Sequence, residues 1–400
     1  MKNEYRAMRQ KAIQRYLAGE KPVHIYKDLS MSRKWFYKWL HRHNSEDPCW
    51  DCDISRARKT SSRVLSPNTE ALIVEIRKRL ETHKYNQIGA INIQWHLWHL
   101  KRLNVEPLPE IWQINRTLKR YNLTKPKGPY KPKNKVYPGI IPDSPGMIQQ
   151  MDFTPSHYVE NHGITKGLNL IDVFSGRVKI NICLSRKCQE VYKSLISTWQ
   201  TMGFSNYLQM DNDPVFIGHN QNPNYFAAVI RLILLVGIEP VFIPPYEPWR
   251  NGVIEKFNDE YKNMFFKSQR WTDLDHLTKE ARIFEDFHNY HHRYSTRQGK
   301  TPMEIEEIYS YRPNLLPRSF KVPELDKLYP IKKGKIHFIR FIRGNGILDI
   351  FGKKFKVVDG FLYEYVRATL DLGENKLTLY HPSGLSQELE YCALKSKSKL

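Results

Sequence analysis

Acidic residues are scarce relative to basic ones in this chain of 400 residues: 41 aspartates and glutamates stand against 63 lysines and arginines, a formal net charge of +22. That shortage, with a sequence pI near 9.6, points to a polyanionic partner such as nucleic acid. Cysteine is sparse as well. Five, an odd number, do not make a disulfide framework, which fits a reducing compartment. Long hydrophobic runs are also missing. The longest apolar stretch, AAVIRLILLVGIEPVFI, is interrupted by Arg231 and Glu239, and the opening MKNEYRAMRQ has no apolar signal region. These absences argue against a membrane role and lead us to expect a soluble, intracellular protein.

The length suits two to four domains, and composition divides it. Residues 1–60 carry three short helical patterns, YRAMRQKAIQRYLAG, PVHIYKDL and SRKWFYKWLHRH. Pro22 suits a first helical position and Ser32 an N-cap. Positive charge collects on the third pattern, at Arg33, Lys34, Lys38 and Arg42, as on the recognition helix of a DNA-binding helix-turn-helix. Just beyond it, HRHNSEDPCWDCD holds His41, His43, Cys49 and Cys52. No standard zinc-finger spacing is met, so incidental cysteines in a linker are the simpler reading.

A second helical set occupies 61–123, in NTEALIVEIRKRLETH, QIGAINIQWHLWHLKRLN and PEIWQINRTLKRYNL. Two helical modules in tandem suggest a long DNA footprint; alternatively the second only packs against the first. Residues 124–145 contain KPKGPYKPKNKVYP, where lysine alternates with proline and no core can form. We read this as a semi-rigid linker whose Lys125, Lys127, Lys131 and Lys133 lie along phosphates.

From 146 to 312 strands alternate with helices. MIQQMDFTPS, TKGLNLIDVFSG and RVKINICLS read as three hairpin-connected strands. CQEVYKSLISTWQTMG then reads as a helix, NYLQMD as a strand, PNYFAAVIRLILLVG as a buried helix and IEPVFIP as a fifth strand. That order is a ribonuclease-H-like α/β core. It sets Asp152 in the first strand, Asp211 at the end of the fourth and Glu255 on the helix after the fifth. Three carboxylates 59 and 44 residues apart (211 − 152 and 255 − 211) can meet only through the fold, and hard oxygen ligands suit Mg²⁺ or Mn²⁺. Glu260 lies about 500° around the helix from Glu255 and faces elsewhere. Asp172 reads as a hydrogen-bonded turn residue, while His291 and His292 pack or touch phosphate rather than bind metal, since no second ligand pair stands at usable spacing.

The segments QQMDFT, LQMDNDPVF and PPYEPWRNGVIEKFN resemble the three signature segments of retroviral-integrase-like DDE transposases carried by bacterial insertion sequences. LIDVFSGR and NYHHRYSTRQGKTPMEI add to the likeness, which covers roughly residues 1–310. The resemblance implies that Asp152, Asp211 and Glu255 hold two Mg²⁺ or Mn²⁺ ions, Asp152 bridging them. It also implies that the enzyme cleaves double-stranded DNA at element ends and joins the 3′-hydroxyl to target DNA as a homo-oligomer in the bacterial cytoplasm, at the nucleoid. A catalytically silent DNA-binding regulator of the same descent is the alternative. The chain departs from the usual D-N-G-P-x-F by placing Asp213 at the glycine position. It also has a long FIGHNQNPNYF stretch, and Ser295 where a histidine is frequent. Pro214 restricts Asp213, so we expect a turned backbone that aims its carboxylate into solvent.

Residues 313–400 become strand-like in KIHFIRFIR, NGILDIFGKKFKV, FLYEYVRATLDLG and NKLTLYHPSG. Basic residues cluster at Lys332 to Lys335 and Lys353 to Lys356. A small separate β-barrel is the economical expectation.

Overall fold

The computed structural model describes residues 2–45, 48–53, 65–85, 87–99, 108–124, 135–218, 226–322, 331 and 333–391. Two compact units result, 1–64 and 65–400.

In the first, α1 (Lys2–Leu17), α2 (Pro22–Asp28) and α3 (Arg33–Asn44) close around Ala12, Ile25 and Phe36. Pro22 opens α2, and the Ser32 side chain accepts from the Trp35 amide to cap α3. The Arg9 guanidinium lies 3.9 Å from the Trp39 ring centroid and donates to the Asp51 carbonyl. Arg6 and Gln10 hold the Asp51 carboxylate.

The second unit begins with α4 (Pro67–Glu81), α5 (Ala90–His99) and α6 (Ile111–Arg120), whose buried stripes meet at Ile73, Ile93, Ile114 and Leu118. These helices do not stand apart from the rest of the unit. Lys84 pairs with Glu280, Gln87 exchanges two hydrogen bonds with the backbone of Arg293, and Tyr85 is buried against Phe284 and Phe287. The alternative of packing only against the first helical module therefore fails to describe them.

The sheet begins with β1 (Ile148–Phe153), β2 (His157–Val159), β3 (Gly163–Asp172), β4 (Val178–Lys179) and β5 (Ile182–Cys183). After α7 (Cys188–Thr201) come β6 (Tyr207–Met210), the short α8 (Pro214–Ile217), α9 (Ala228–Leu235) and β7 (Glu239–Phe242). β1 pairs antiparallel with β3 and parallel with β6, and β6 parallel with β7. α7 and α9 pack Leu195, Trp199 and Leu232 on one face. On the other, α10 (Gly252–Glu260) and α11 (Leu274–His291) pack Ile254, Phe257 and Phe284. α12 (Pro302–Ile308) follows, with a capping box at Thr301 and Glu304. This mixed sheet with helices on both faces is a ribonuclease-H-like core.

The C-terminal strands differ from the expected separate barrel. β8 (Lys335–Phe341) joins β7 in parallel, Val241 opposite His337 and Phe242 opposite Phe338. The hairpin of β9 (Ile347–Ile350) and β10 (Lys353–Lys356) lies off that sheet. β11 (Tyr365–Asp371), β12 (Lys376–Tyr380) and β13 (Ser386–Glu390) then extend it outward from β8. Side-chain alternation identifies strands but not the edge they will pair with, and here the available edge was β7. Phe338 stacks on Phe242 at 5.4 Å, and both share one core with Leu348 and Val366.

Candidate active site

Amide side chains, rather than charge pairs, seat the helix that carries Glu255. Asn251 stands at the N-cap position of α10, and Glu255 and Asn258, at i and i+3, share one face of that helix. Asn251 donates to the Met151 carbonyl on β1, and the Gln150 side chain accepts from the Val253 and Ile254 amides at the helix start. Gln209 on β6 donates to the Arg250 carbonyl and to Asn251. Asn258 donates to Asp152 Oδ2 at 3.0 Å while accepting from Asn169 on β3 at 2.9 Å. Three strands and a helix are thus locked in register around Asp152. Sequence reasoning missed these five amides, although the Glu255–Asn258 spacing was there to be read.

Asp211 follows the last residue of β6, and its Oδ1 accepts from the Asp213 amide at 3.1 Å. The backbone does turn at Asp213, as Pro214 requires, but the side chain does not enter solvent. It caps α8 by accepting from the Val215 amide and pairs with Arg186 at 2.6 Å.

Burial pushes the Asp152 carboxyl up to about 7, with the charge of Asp211 adding to it and Glu255 contributing less. Asp211 is raised by burial and by Asp213; Glu255 is raised by burial, Asp259 and Asp211. Burial therefore raises all three acids, the charge of Asp211 adds to the rise of the other two, and among the described residues none of them forms an ion pair. They stand farther apart than 4.8 Å as a group, because the one set of described residues whose ligand atoms all fall within that limit is Glu260, His288 and His292. A set of carboxylate oxygens, raised by burial and held in no ion pair among the described residues, fits a hard divalent cation.

Other expected residues fall as follows. Arg33, Lys34 and Lys38 are exposed on α3, whereas Arg42 is half-buried and donates to the carbonyls of Cys49 and Cys52. His41, His43, Cys49 and Cys52 do not converge as metal ligands, and His43 packs edge-on against Trp50. Lys125, Lys127, Lys131 and Lys133 lie outside the described residues, as does most of the long stretch after Asp213. Asp172 is a turn residue, accepting from Gly146, Ser175 N and Ser175 Oγ. Glu247 ties the proline-rich loop to Arg250 and to the Tyr365 hydroxyl. A groove of about 1010 Å³, lined in part by Asn212, Tyr246, Arg340, Arg343 and Lys354, runs from beside Asp211 to the C-terminal strands.

Residues 236–302 match the family model described as integrase core domain. That span holds β7, α10 with Glu255, and α11. Among solved structures, the catalytic core of HTLV-2 integrase in complex with magnesium is similar at 20% identity, over 41% of this chain and 97% of that one, with a TM-score of 0.32. The simian T-cell lymphotropic virus intasome with a PP2A regulatory subunit is 15% identical over 78% and 96%, at 0.36. The BIV integrase core is 19% identical over 42% and 99%, at 0.31. No curated protein matches. Among the described residues no helix is long and apolar enough to cross a membrane.

Proposed function

We propose that the chain is a DDE-type transposase of an insertion sequence, cleaving DNA at the ends of its element and joining the freed 3′-hydroxyl to target DNA. The observation that carries this reading is the set of three carboxylates presented by β1, the end of β6 and α10, each raised by burial, with the charge of Asp211 acting on the other two. The integrase core match across the third of them supports it. Asp152, Asp211 and Glu255 would hold one or two Mg²⁺ or Mn²⁺ ions, which supply Lewis acidity for activating water or a 3′-hydroxyl and for stabilising the leaving oxygen.

The chain's own residues do the rest. Asn258 orients Asp152 through Oδ2, leaving Oδ1 available as a ligand. Arg186, held by Asp213, places a positive charge beside Asp211 where a phosphate arrives. Arg343 and Lys354 give the groove the charge to take a DNA backbone, while Arg33, Lys34 and Lys38 serve a recognition helix. Double-stranded DNA is the substrate, and a homo-oligomer would synapse two ends.

The test is incubation with DNA carrying the sequences that flank the gene, with and without Mg²⁺ or Mn²⁺. Metal-dependent 3′ cleavage and strand-transfer products are expected. End binding without any cleavage would instead support a silent DNA-binding regulator.

A further inference from the structure

Glu260, His288 and His292 take no part in the chemistry above, yet they gather closely. Glu260 ends α10; His288 and His292 stand at i and i+4 at the end of α11, a spacing that brings two imidazoles onto one face. One potential ligand atom from each lies within 4.8 Å of the others.

Glu260 has an oxygen that packing alone leaves unexplained, and both histidines are held close to it. Glu260 Oε1 accepts from Lys256 Nζ at 2.6 Å, but Oε2 is buried without a hydrogen-bond partner. It stands 3.7 Å from His292 Nε2, beyond hydrogen-bonding distance. His288 is 1% exposed, with Nε2 3.2 Å from the Gly176 carbonyl and 2.9 Å from the Tyr294 hydroxyl. Donation of Nε2–H to Gly176 leaves the lone pair on Nδ1, the outer hydrogen bond by which metal-binding histidines are fixed in tautomer and orientation. Desolvation lowers both histidines, well below the ordinary value for His288, so both rings are the neutral bases that ligate metals.

We propose that Glu260, His288 and His292 bind one zinc-class divalent cation, separate from the catalytic triad, that clamps the end of α10 to the end of α11. Two imidazoles and one carboxylate suit Zn²⁺ better than Mg²⁺, which takes oxygen ligands. The clamp would brace α10 where it passes into a π-helical turn at Tyr261–Phe265, one turn beyond Asn258. The proposal is independent of the transposase reading, since it concerns metal affinity and stability alone.

The experiment uses the full chain carrying Asp152→Asn and Cys52→Ser, so that neither the triad nor the CxxC pair contributes, stripped of metal by chelation. Co²⁺ uptake is followed by its visible absorption, Zn²⁺ is used to displace it, and melting is recorded with and without Zn²⁺. One equivalent of Co²⁺ without thiolate charge-transfer bands, displaced by Zn²⁺, is expected. Adding Glu260→Gln or His292→Gln should weaken uptake by about tenfold or more and abolish the Zn²⁺-dependent rise in melting temperature. No uptake by the background protein would overturn the proposal. So would uptake unchanged in both variants, which would leave Glu260, His288 and His292 as packing neighbours only.

Discussion

Asp213 shows how one residue's surroundings decide its role. As a fourth acid two positions from Asp211 it invites assignment to the metal, yet its carboxylate is spent on the Val215 amide and on Arg186. Asp213→Asn, whose amide oxygen can still accept from the Val215 amide and from Arg186, should therefore keep divalent-dependent strand transfer. Asp213→Ala, which removes the cap, should cost about 0.5–1 kcal/mol in thermal or denaturant unfolding. Loss of strand transfer in a folded, end-binding Asp213→Asn protein would make it a ligand. His157 supplies a second test. Its ring stacks on Phe266 at 3.6 Å, its buried Nε2 has no partner, and burial, with Lys262 adding, lowers it to about 4. A base depressed in the folded state is protonated first in the unfolded chain, so stability is full above about pH 6.5 and is lost as pH falls toward 4. His157→Phe keeps the stack without the titration, and its stability should fall about 1–2 kcal/mol less than that of the wild type between pH 6.5 and 4, after allowance for partial exposure. Parallel pH profiles would contradict this.

Among the elements, α3 exposes Arg33, Lys34 and Lys38 together. If Arg33, Lys34 and Lys38 meet phosphates, each alanine substitution should flatten the log–log salt dependence of end binding by about 0.9. An unchanged slope would move recognition to α4–α6. Helices and strands with strong periodicity were legible: α7 and α9 announce themselves by apolar runs, and β1, β3, β6 and β7 by alternation between turn signals. β13 was not, because SQELE offers Leu389 as its single apolar residue and owes its strand to pairing with β12. The Glu260–His288–His292 cluster escaped for another reason. His291 and His292 drew the eye as neighbours, while the partner of His292 on the helix is His288, four residues back, and Glu260 arrives only through tertiary packing.

For the whole molecule, the three acids were placed on the elements that present them from order alone, because a ribonuclease-H-like succession leaves few topologies. Domain limits were harder to read. Composition changes near 313, but β8 continues the core sheet, Arg340 donates to Asn212 and to the Ile243 carbonyl, and His337 binds Glu239 at 2.7 Å. A protein truncated after residue 312 would expose the β7 edge and Phe242 to solvent, so it should aggregate or melt well below the full chain. A soluble, monodisperse 1–312 protein with an unchanged melting temperature would restore the separate-domain picture.

If Glu255, seated between Asn251 and Asn258, completes a metal-holding triad with Asp152 and Asp211, its charge is needed for chemistry and not for end binding. The most direct measurement compares wild type and Glu255→Gln for strand transfer in Mg²⁺, with end binding measured on the same preparations. The amide keeps the shape and removes the charge, so strand transfer should fall by about a thousandfold or more while end affinity stays within about twofold. Strand transfer by Glu255→Gln at near wild-type rate would contradict the account.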